Sequence, residues 1–228
     1  MCGRFIQCTV GEPLAERFQA APAPGLAATP RYNVAPTQPV WAVRPTATGG
    51  DRELVQLHWG LIPAWAREPR LTYSTINARA ETVAEKPAFR HAFRHRRCLI
   101  PADGFYEWRR NAARKQPYCI APADGRPLAF AGLWERWERD GHIIESCTIL
   151  ITQANELIAP IHDRMPVILD PADQDRWLDP AMIDPAALRP LLVPCPATWL
   201  RVWPVGSGVN NPRHEGPALW EPLAAPAN

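Results

Sequence analysis

Three residues stand where their side chains could do covalent or proton-transfer chemistry: Cys2, Glu107 and His162. Removal of Met1 would make Cys2 the chain start, with a free α-amine and a thiol on adjacent carbons. An α-amine has a reference pKa of about 7.7–8.0, against about 10.4 for lysine, so near neutral pH a useful fraction can attack an aldehyde to give a Schiff base. The thiol can then close on the imine to form a five-membered thiazolidine, a reaction no internal cysteine can perform. Gly3 permits close approach of a backbone or ligand, and Arg4 sets a fixed cation beside the terminus. The plain alternative is that a lone cysteine is a small buried hydrophobe.

Glu107 lies in the apolar strand Phe105-Tyr106-Glu107-Trp108, where alternation puts Phe105 and Glu107 on one face and Tyr106 and Trp108 on the other. A carboxylate on an apolar face is either paired or raised in pKa, and both conditions suit proton transfer; a surface edge strand is the structural alternative. A lone histidine is more often structural than catalytic, but His162 falls in a loop between apolar stretches with Asp163 and Arg164 beside it, a setting that favours function more than a core position would. Asn77 and Arg79 are two residues apart in an extended segment and share a side; Arg79 could pair with Glu81 or with a phosphate. Trp65, in the loop Trp59-Gly60-Leu61-Ile62-Pro63-Ala64-Trp65, sits among Ala66, Arg67, Glu68 and Pro69 and is expected to be exposed, able to stack on an unpaired base, whereas Trp59 is expected in the core. Asn33, in Arg31-Tyr32-Asn33-Val34-Ala35-Pro36, reads in isolation as a turn cap.

The elements that must position these residues are short. Helices are predicted over Glu12 to Ala20, Lys86 to Arg97, Pro171 to Leu178 and Pro185 to Leu191, with a Pro/Ala-rich link over 21–30. Strands are predicted over 40–44, 53–59, 98–100, 105–108, 116–121, 128–137, 146–152 and 167–169, with a charged hairpin tip at 135–140. The basic residues Arg90, Arg94, Arg96 and Arg97 fit a solvated helix end, where the dipole favours cations, better than a nucleic acid site.

By length the chain fits one large domain, over 1–228, or two small ones. The 228 residues can bury a sizeable core, and 46% hydrophobic with 21% charged residues is ordinary for a globular chain. The 27 prolines argue for short elements joined by rigid turns, against long helices or βαβ repeats. With 25 basic against 23 acidic residues, the net charge of +2 does not announce nucleic acid binding, so an anionic partner must meet a local patch. The six scattered cysteines form no CxxC pair, which points to free thiols in a reducing cytoplasmic compartment. No signal peptide or membrane-spanning apolar run is visible, and His91 and His95 lack companions for a zinc site, so neither metal nor cofactor is expected.

The ordered set Met1-Cys2-Gly3-Arg4-Phe5, Arg31 to Pro36, Trp59 to Pro63, Asn77-Ala78-Arg79-Ala80-Glu81, Pro101 to Trp108 and Ile161-His162-Asp163-Arg164-Met165-Pro166 closely resembles the SRAP family of abasic-site processing proteins, over nearly the whole chain. The resemblance implies an α+β fold with a mostly antiparallel, barrel-like β core flanked by short helices. It implies a monomer that holds single-stranded DNA, is nucleoid-associated when bound to it, and protects abasic sites during the DNA damage response through a covalent link. By the same resemblance Cys2 forms the thiazolidine after Met1 is removed, possible autocatalysis included; Asn77 positions the terminus and the sugar; Glu107 moves protons; and His162 assists sugar ring opening and reversal. Arg4, Asn33, Arg79 and Arg164 match DNA-binding positions, and Trp65 matches an aromatic wedge. Two rivals remain: an N-terminal-nucleophile glutamine amidotransferase, which also starts Met-Cys-Gly but usually continues with an aliphatic residue, and a non-catalytic single-strand binding module.

Overall fold

The computed structural model describes residues 2–22, 29–47, 49–69, 74–110 and 115–223. Met1 and most of the link predicted over 21–30 lie outside them. The strands are β1 (Phe5–Gln7), β2 (Ala20–Pro22), β3 (Arg31–Val34), β4 (Pro39–Pro45), β5 (Arg52–Trp59), β6 (Asn77–Arg79), β7 (Arg97–Ala102), β8 (Gly104–Arg110), β9 (Lys115–Pro122), β10 (Leu128–Arg139), β11 (His142–Gln153), β12 (Arg164–Pro166) and β13 (Leu200–Pro204). Four short α-helices accompany them: α1 (Glu12–Phe18), α2 (Arg90–His95), α3 (Gln174–Leu178) and α4 (Pro185–Leu188). No helix among the described residues is long and apolar enough to cross a membrane.

Strands β11, β10, β7, β4 and β5 run in that order, and a parallel pairing of β5 with β11 at Ser146↔His58 and Cys147↔Trp59 closes them into a five-stranded barrel. A second sheet, ordered β13-β9-β8-β1-β3, packs against it. The expected α+β architecture with a barrel-like β core is therefore the observed one. Alternation explains how the staves bury both faces. Val40, Ala42, Leu57, Cys98, Ile100, Phe130, Cys147 and Ile149 pack with Phe5 and Phe105 of the second sheet and with Cys2 just before β1. The alternate residues, among them Trp41, Val43, Leu99, Ala131 and Leu150, pack with Leu14 and Phe18 of α1, Phe93 of α2, Trp177 of α3 and Leu188 of α4.

Two local expectations change. The helix predicted over Lys86 to Arg97 shrinks to α2, and Arg97 enters β7 as a buried residue whose guanidinium donates to the Phe93, Arg94, Trp177 and Asp179 carbonyls. It ties helix ends together rather than extending a solvated face. The hairpin tip predicted over 135–140 also moves: β10 continues to Arg139, and the turn is Asp140-Gly141, both with positive φ as a tight two-residue turn requires. Glu135 is buried because Arg96 and His91 bind its carboxylate.

The N-terminal strand is clamped in place by a side chain. Strands β4 and β7 pair at Val43↔Leu99, a register that would set Trp41 opposite Pro101. Proline has no N–H, so the ladder cannot continue there. The buried Gln7 amide fills the gap, donating to the Trp41 and Pro101 carbonyls at 2.9 and 2.8 Å and accepting from the Trp41 N–H at 3.0 Å. Replacing Gln7 with Leu strands three backbone groups away from water and should cost roughly 2–4 kcal/mol; guanidinium unfolding of Gln7→Leu against wild type checks this, and an unchanged midpoint would remove the clamp from the account.

Candidate functional site

The site forms where β1, β6 and β8 meet. Pairing of Phe5 with Phe105 sets the residues before β1 beside the middle of β8, and Phe105 and Glu107 share its inward face. Cys2 is fully buried, and its carbonyl accepts a 2.8 Å hydrogen bond from Asn77 Nδ2. Asn77 is the first residue of β6, whose parallel pairing with β11 at Ile149↔Asn77 holds it there. Burial pushes the Cys2 thiol well above its ordinary pKa, and the nearby Glu107 carboxylate raises it further. The resting group is thus a thiol.

Glu107 is 3% exposed, and burial pushes its carboxyl up to about 7. It lines an open cleft of about 870 Å³ together with Trp108, Arg109, Lys115, Pro160, Ile161, His162, Asp163 and Asn210. His162 reaches this cleft from the turn that follows β11. Its Nδ1 lies 3.0 Å from the Arg164 backbone nitrogen and 3.0 Å from Asp163 Oδ1. The backbone N–H can only donate, so Nδ1 accepts, and the neutral ring carries its proton on Nε2; the Asp163 contact is then not an ion pair.

Around this centre the structure sorts the other residues singled out in the sequence. Arg79 is exposed on β6, two residues from Asn77 and on its side of the strand. Arg164, at the start of β12, binds the Glu81 carboxylate. Burial would raise the Glu81 carboxyl, but the Arg164 hydrogen bond, the Arg164 charge and the Arg79 charge outweigh it and hold it below its ordinary value. Trp65 is 60% exposed, with its Nε1–H 3.4 Å from the Pro87 carbonyl, as an available stacking surface requires, and Trp59 is in the core as expected. Asn33 is placed differently. It is fully buried, and its amide binds Arg4 Nη1 and the distant Asn211 and His214 carbonyls rather than capping a local turn. Arg4 is half-buried, its Nη1 also donating to the Val209 carbonyl at 2.8 Å. The His91 and His95 rings lie tilted to each other with centroids 5.1 Å apart, and among the described residues no group of three or more His, Cys, Asp or Glu could hold a metal.

Sequence reasoning passed over Trp108, Arg109, Lys115 and Asn210 as cleft residues. Trp108 follows Glu107 on the opposite strand face, and Asn210 lies over a hundred residues away in the tail. The available signal was the antiparallel return of β9, which sets Gln116 and Lys115 against Arg109 and Arg110.

The barrel and the packed sheet together carry a buried cysteine at position 2 and a desolvated glutamate that lines an open cleft. The model of the family described as SOS response associated peptidase (SRAP) matches residues 1–212. The chain belongs to the SRAP family. It is 42% identical over 224 residues to abasic site processing protein YoqW of Bacillus subtilis strain 168, covering 97% of this chain and 99% of that one. It is 31% identical over 228 residues to abasic site processing protein YedK of Escherichia coli K12, covering 98% and 100%. An X-ray structure of a Bacteroides thetaiotaomicron protein is similar with a TM-score of 0.86 at 26% identity, covering 98% of this chain and all of that one.

The Glu107 pKa has a consequence for stability. Its folded value of about 7 lies above the ordinary carboxylate value, so the folded state binds the proton more tightly than the unfolded state does. That contribution is complete below about pH 4.5 and is lost as pH rises through about 7. Relative to the non-titrating Glu107→Gln variant, wild type should lose roughly 3 kcal/mol across this window, from about 1.4 kcal/mol per pKa unit. Denaturant melts of both proteins at pH 4.5, 6 and 8 measure it; parallel curves would place the Glu107 pKa near its ordinary value.

Proposed function

We propose that this protein acts in abasic-site processing, forming a covalent thiazolidine between Cys2 and the ring-opened aldehyde of an abasic site in single-stranded DNA. The observation that supports this most strongly is the Glu107 carboxyl, brought by burial to about 7 beside the Cys2 thiol. At neutral pH such a group is present in both protonation states, and the chemistry needs both.

Removal of Met1, in this reading by the protein itself, exposes the Cys2 α-amine. The abasic sugar opens when its C1′ hydroxyl loses a proton and the ring oxygen gains one; the Nε2 proton of His162 suits the second transfer. The amine then adds to the C1′ aldehyde to give a carbinolamine. Protonated Glu107 donates to the departing oxygen, which leaves as water, and an iminium remains. The Cys2 sulfur bonds to the same carbon as Glu107 takes the thiol proton, the C=N π electrons return to nitrogen, and the ring is closed. Asn77, through its hydrogen bond to the Cys2 carbonyl, keeps the terminus aimed at the cleft. Reversal retraces these steps, with His162 reclosing the sugar.

DNA is held in this reading by Arg4, Arg79 and Arg164 acting on phosphates, with Trp65 stacking on a base beside the lesion. Such binding is salt-sensitive and sequence-tolerant, and the modest net charge of +2 makes the local cluster decisive.

Intact mass spectrometry of the protein after incubation with single-stranded DNA bearing one abasic site tests the proposal. A DNA-sized mass increase that survives denaturation without reductant is expected for wild type and not for Cys2→Ala. Glu107→Gln should slow its appearance by at least tenfold at neutral pH. Confirmed loss of Met1 and an intact aldehyde without any adduct would overturn the covalent reading and return attention to a glutaminase assay.

A further inference from the structure

The last part of the chain reaches back into the cleft. After β13, residues 205–215 cross the second sheet as a strap: the Val205 N–H donates to the Pro117 carbonyl at 3.0 Å, and Gln116 Nε2 donates to the Val205 carbonyl at 2.9 Å. The 3-10 turn Ser207–Asn210 follows, with Val209 buried beneath it. At the far end the Glu215 carboxylate accepts from Arg31 Nε at 2.9 Å and from the Tyr32 N–H at 2.7 Å. Between these anchors Asn33 accepts from Arg4 Nη1 at 2.8 Å while its Nδ2 donates to the carbonyls of Asn211 and His214, each at 3.0 Å.

Two side chains, one of them in the cleft wall, hang on this strap. Arg4 Nη1 donates to the Val209 carbonyl, and the Trp108 indole N–H donates to Asn210 Oδ1 at 2.7 Å. The Arg4 guanidinium lies 6.0 Å from the centre of the Trp108 ring. Trp108 and Asn210 both line the cleft that Glu107 and His162 share. An indole on a strand next to open solvent has several rotamers, and its hydrogen bond to Asn210 selects one.

We propose that the 205–215 strap is a positioning element for the substrate, in which Asn210 fixes the Trp108 ring and Asn33, with the Val209 carbonyl, fixes Arg4, so that the ring and the cation together form a preset ledge for the DNA strand beside the lesion. The inference rests on the abasic-site reading of the cleft. Asn210 and Asn33 are positioning residues that act through Trp108 and Arg4, and their effect falls on binding rather than on the covalent step. A preset ledge removes the ordering that the two side chains would otherwise undergo on binding.

The test uses the full chain and a fluorescently labelled single-stranded 15-mer with a central tetrahydrofuran, an abasic analogue that has no aldehyde and cannot be crosslinked. Failure of the covalent reading therefore leaves this measurement intact. Fluorescence anisotropy should show Asn210→Ala binding about five- to tenfold more weakly than wild type, and Trp108→Phe, which keeps a ring but has no indole N–H, weakened by a similar factor. The double variant should be no weaker than either single one, because each breaks the same bond. In a ¹⁵N-correlated NMR spectrum the indole N–H signal lost in Trp108→Phe should move in Asn210→Ala and exchange faster with solvent. Multiplying penalties in the double variant, or wild-type affinity in Asn210→Ala, would overturn the proposal; so would an unmoved indole signal.

Discussion

A carboxyl group held out of water beside the first residues of the chain is the constraint on which the site depends. Glu107 on the surface would be fully ionised at neutral pH and a poor proton donor. Buried on the inward face of β8, it titrates near neutrality. Keeping it there requires that β8 be covered on that face, and the barrel supplies the cover: Phe105, two residues earlier on the same face, packs edge-on against Phe130 of β10. The barrel and second sheet are therefore the means by which a glutamate acquires a useful pKa.

The same burial creates a difficulty for Cys2. Desolvation makes its thiol a weaker acid, opposite to what a free-standing thiolate nucleophile needs. In the proposed chemistry proximity answers this: the group that gains in basicity through burial stands beside the group that would lose a proton. Asn77 restrains the backbone of Cys2, and Gln7, five residues on, secures β1 to two barrel strands. In that proposal, position rather than intrinsic acidity is what the pair relies on.

Charge is arranged by similar economy. Among the guanidiniums singled out, Arg164 holds Glu81 and Arg79 stands exposed nearby, a cluster gathered from β6, the turn after it and β12. Arg97 and Arg96, equally basic in sequence, are engaged in tying helices to strands. An anionic chain thus meets a local field that the overall charge of +2 does not reveal.

Much of this was legible in the chain itself. The chemistry open to a cysteine at position 2, the alternation that put Glu107 with Phe105 and the shared side of Asn77 and Arg79 follow from covalent chemistry or from the two-residue period of a strand, which act over a few bonds, and the exposure of Trp65 follows from its loop neighbours. Helix extent was less legible, because the basic run over 90–97 has a helical pattern and only tertiary carbonyls, waiting for a donor, draw Arg97 into β7. Asn33 shows the limit most clearly: its type and its tripeptide neighbours allow a turn cap or a ligand contact, and its actual partners are Arg4, 29 positions away, and carbonyls about 180 positions away. The sequence by itself determined which atoms could react and which strand faces were apolar. Tertiary structure alone decided the Glu107 pKa, the pairing of Asn77 with the chain start and the meeting of Trp108 with Asn210, because desolvation and hydrogen-bond partnership depend on what the fold brings near from far along the chain.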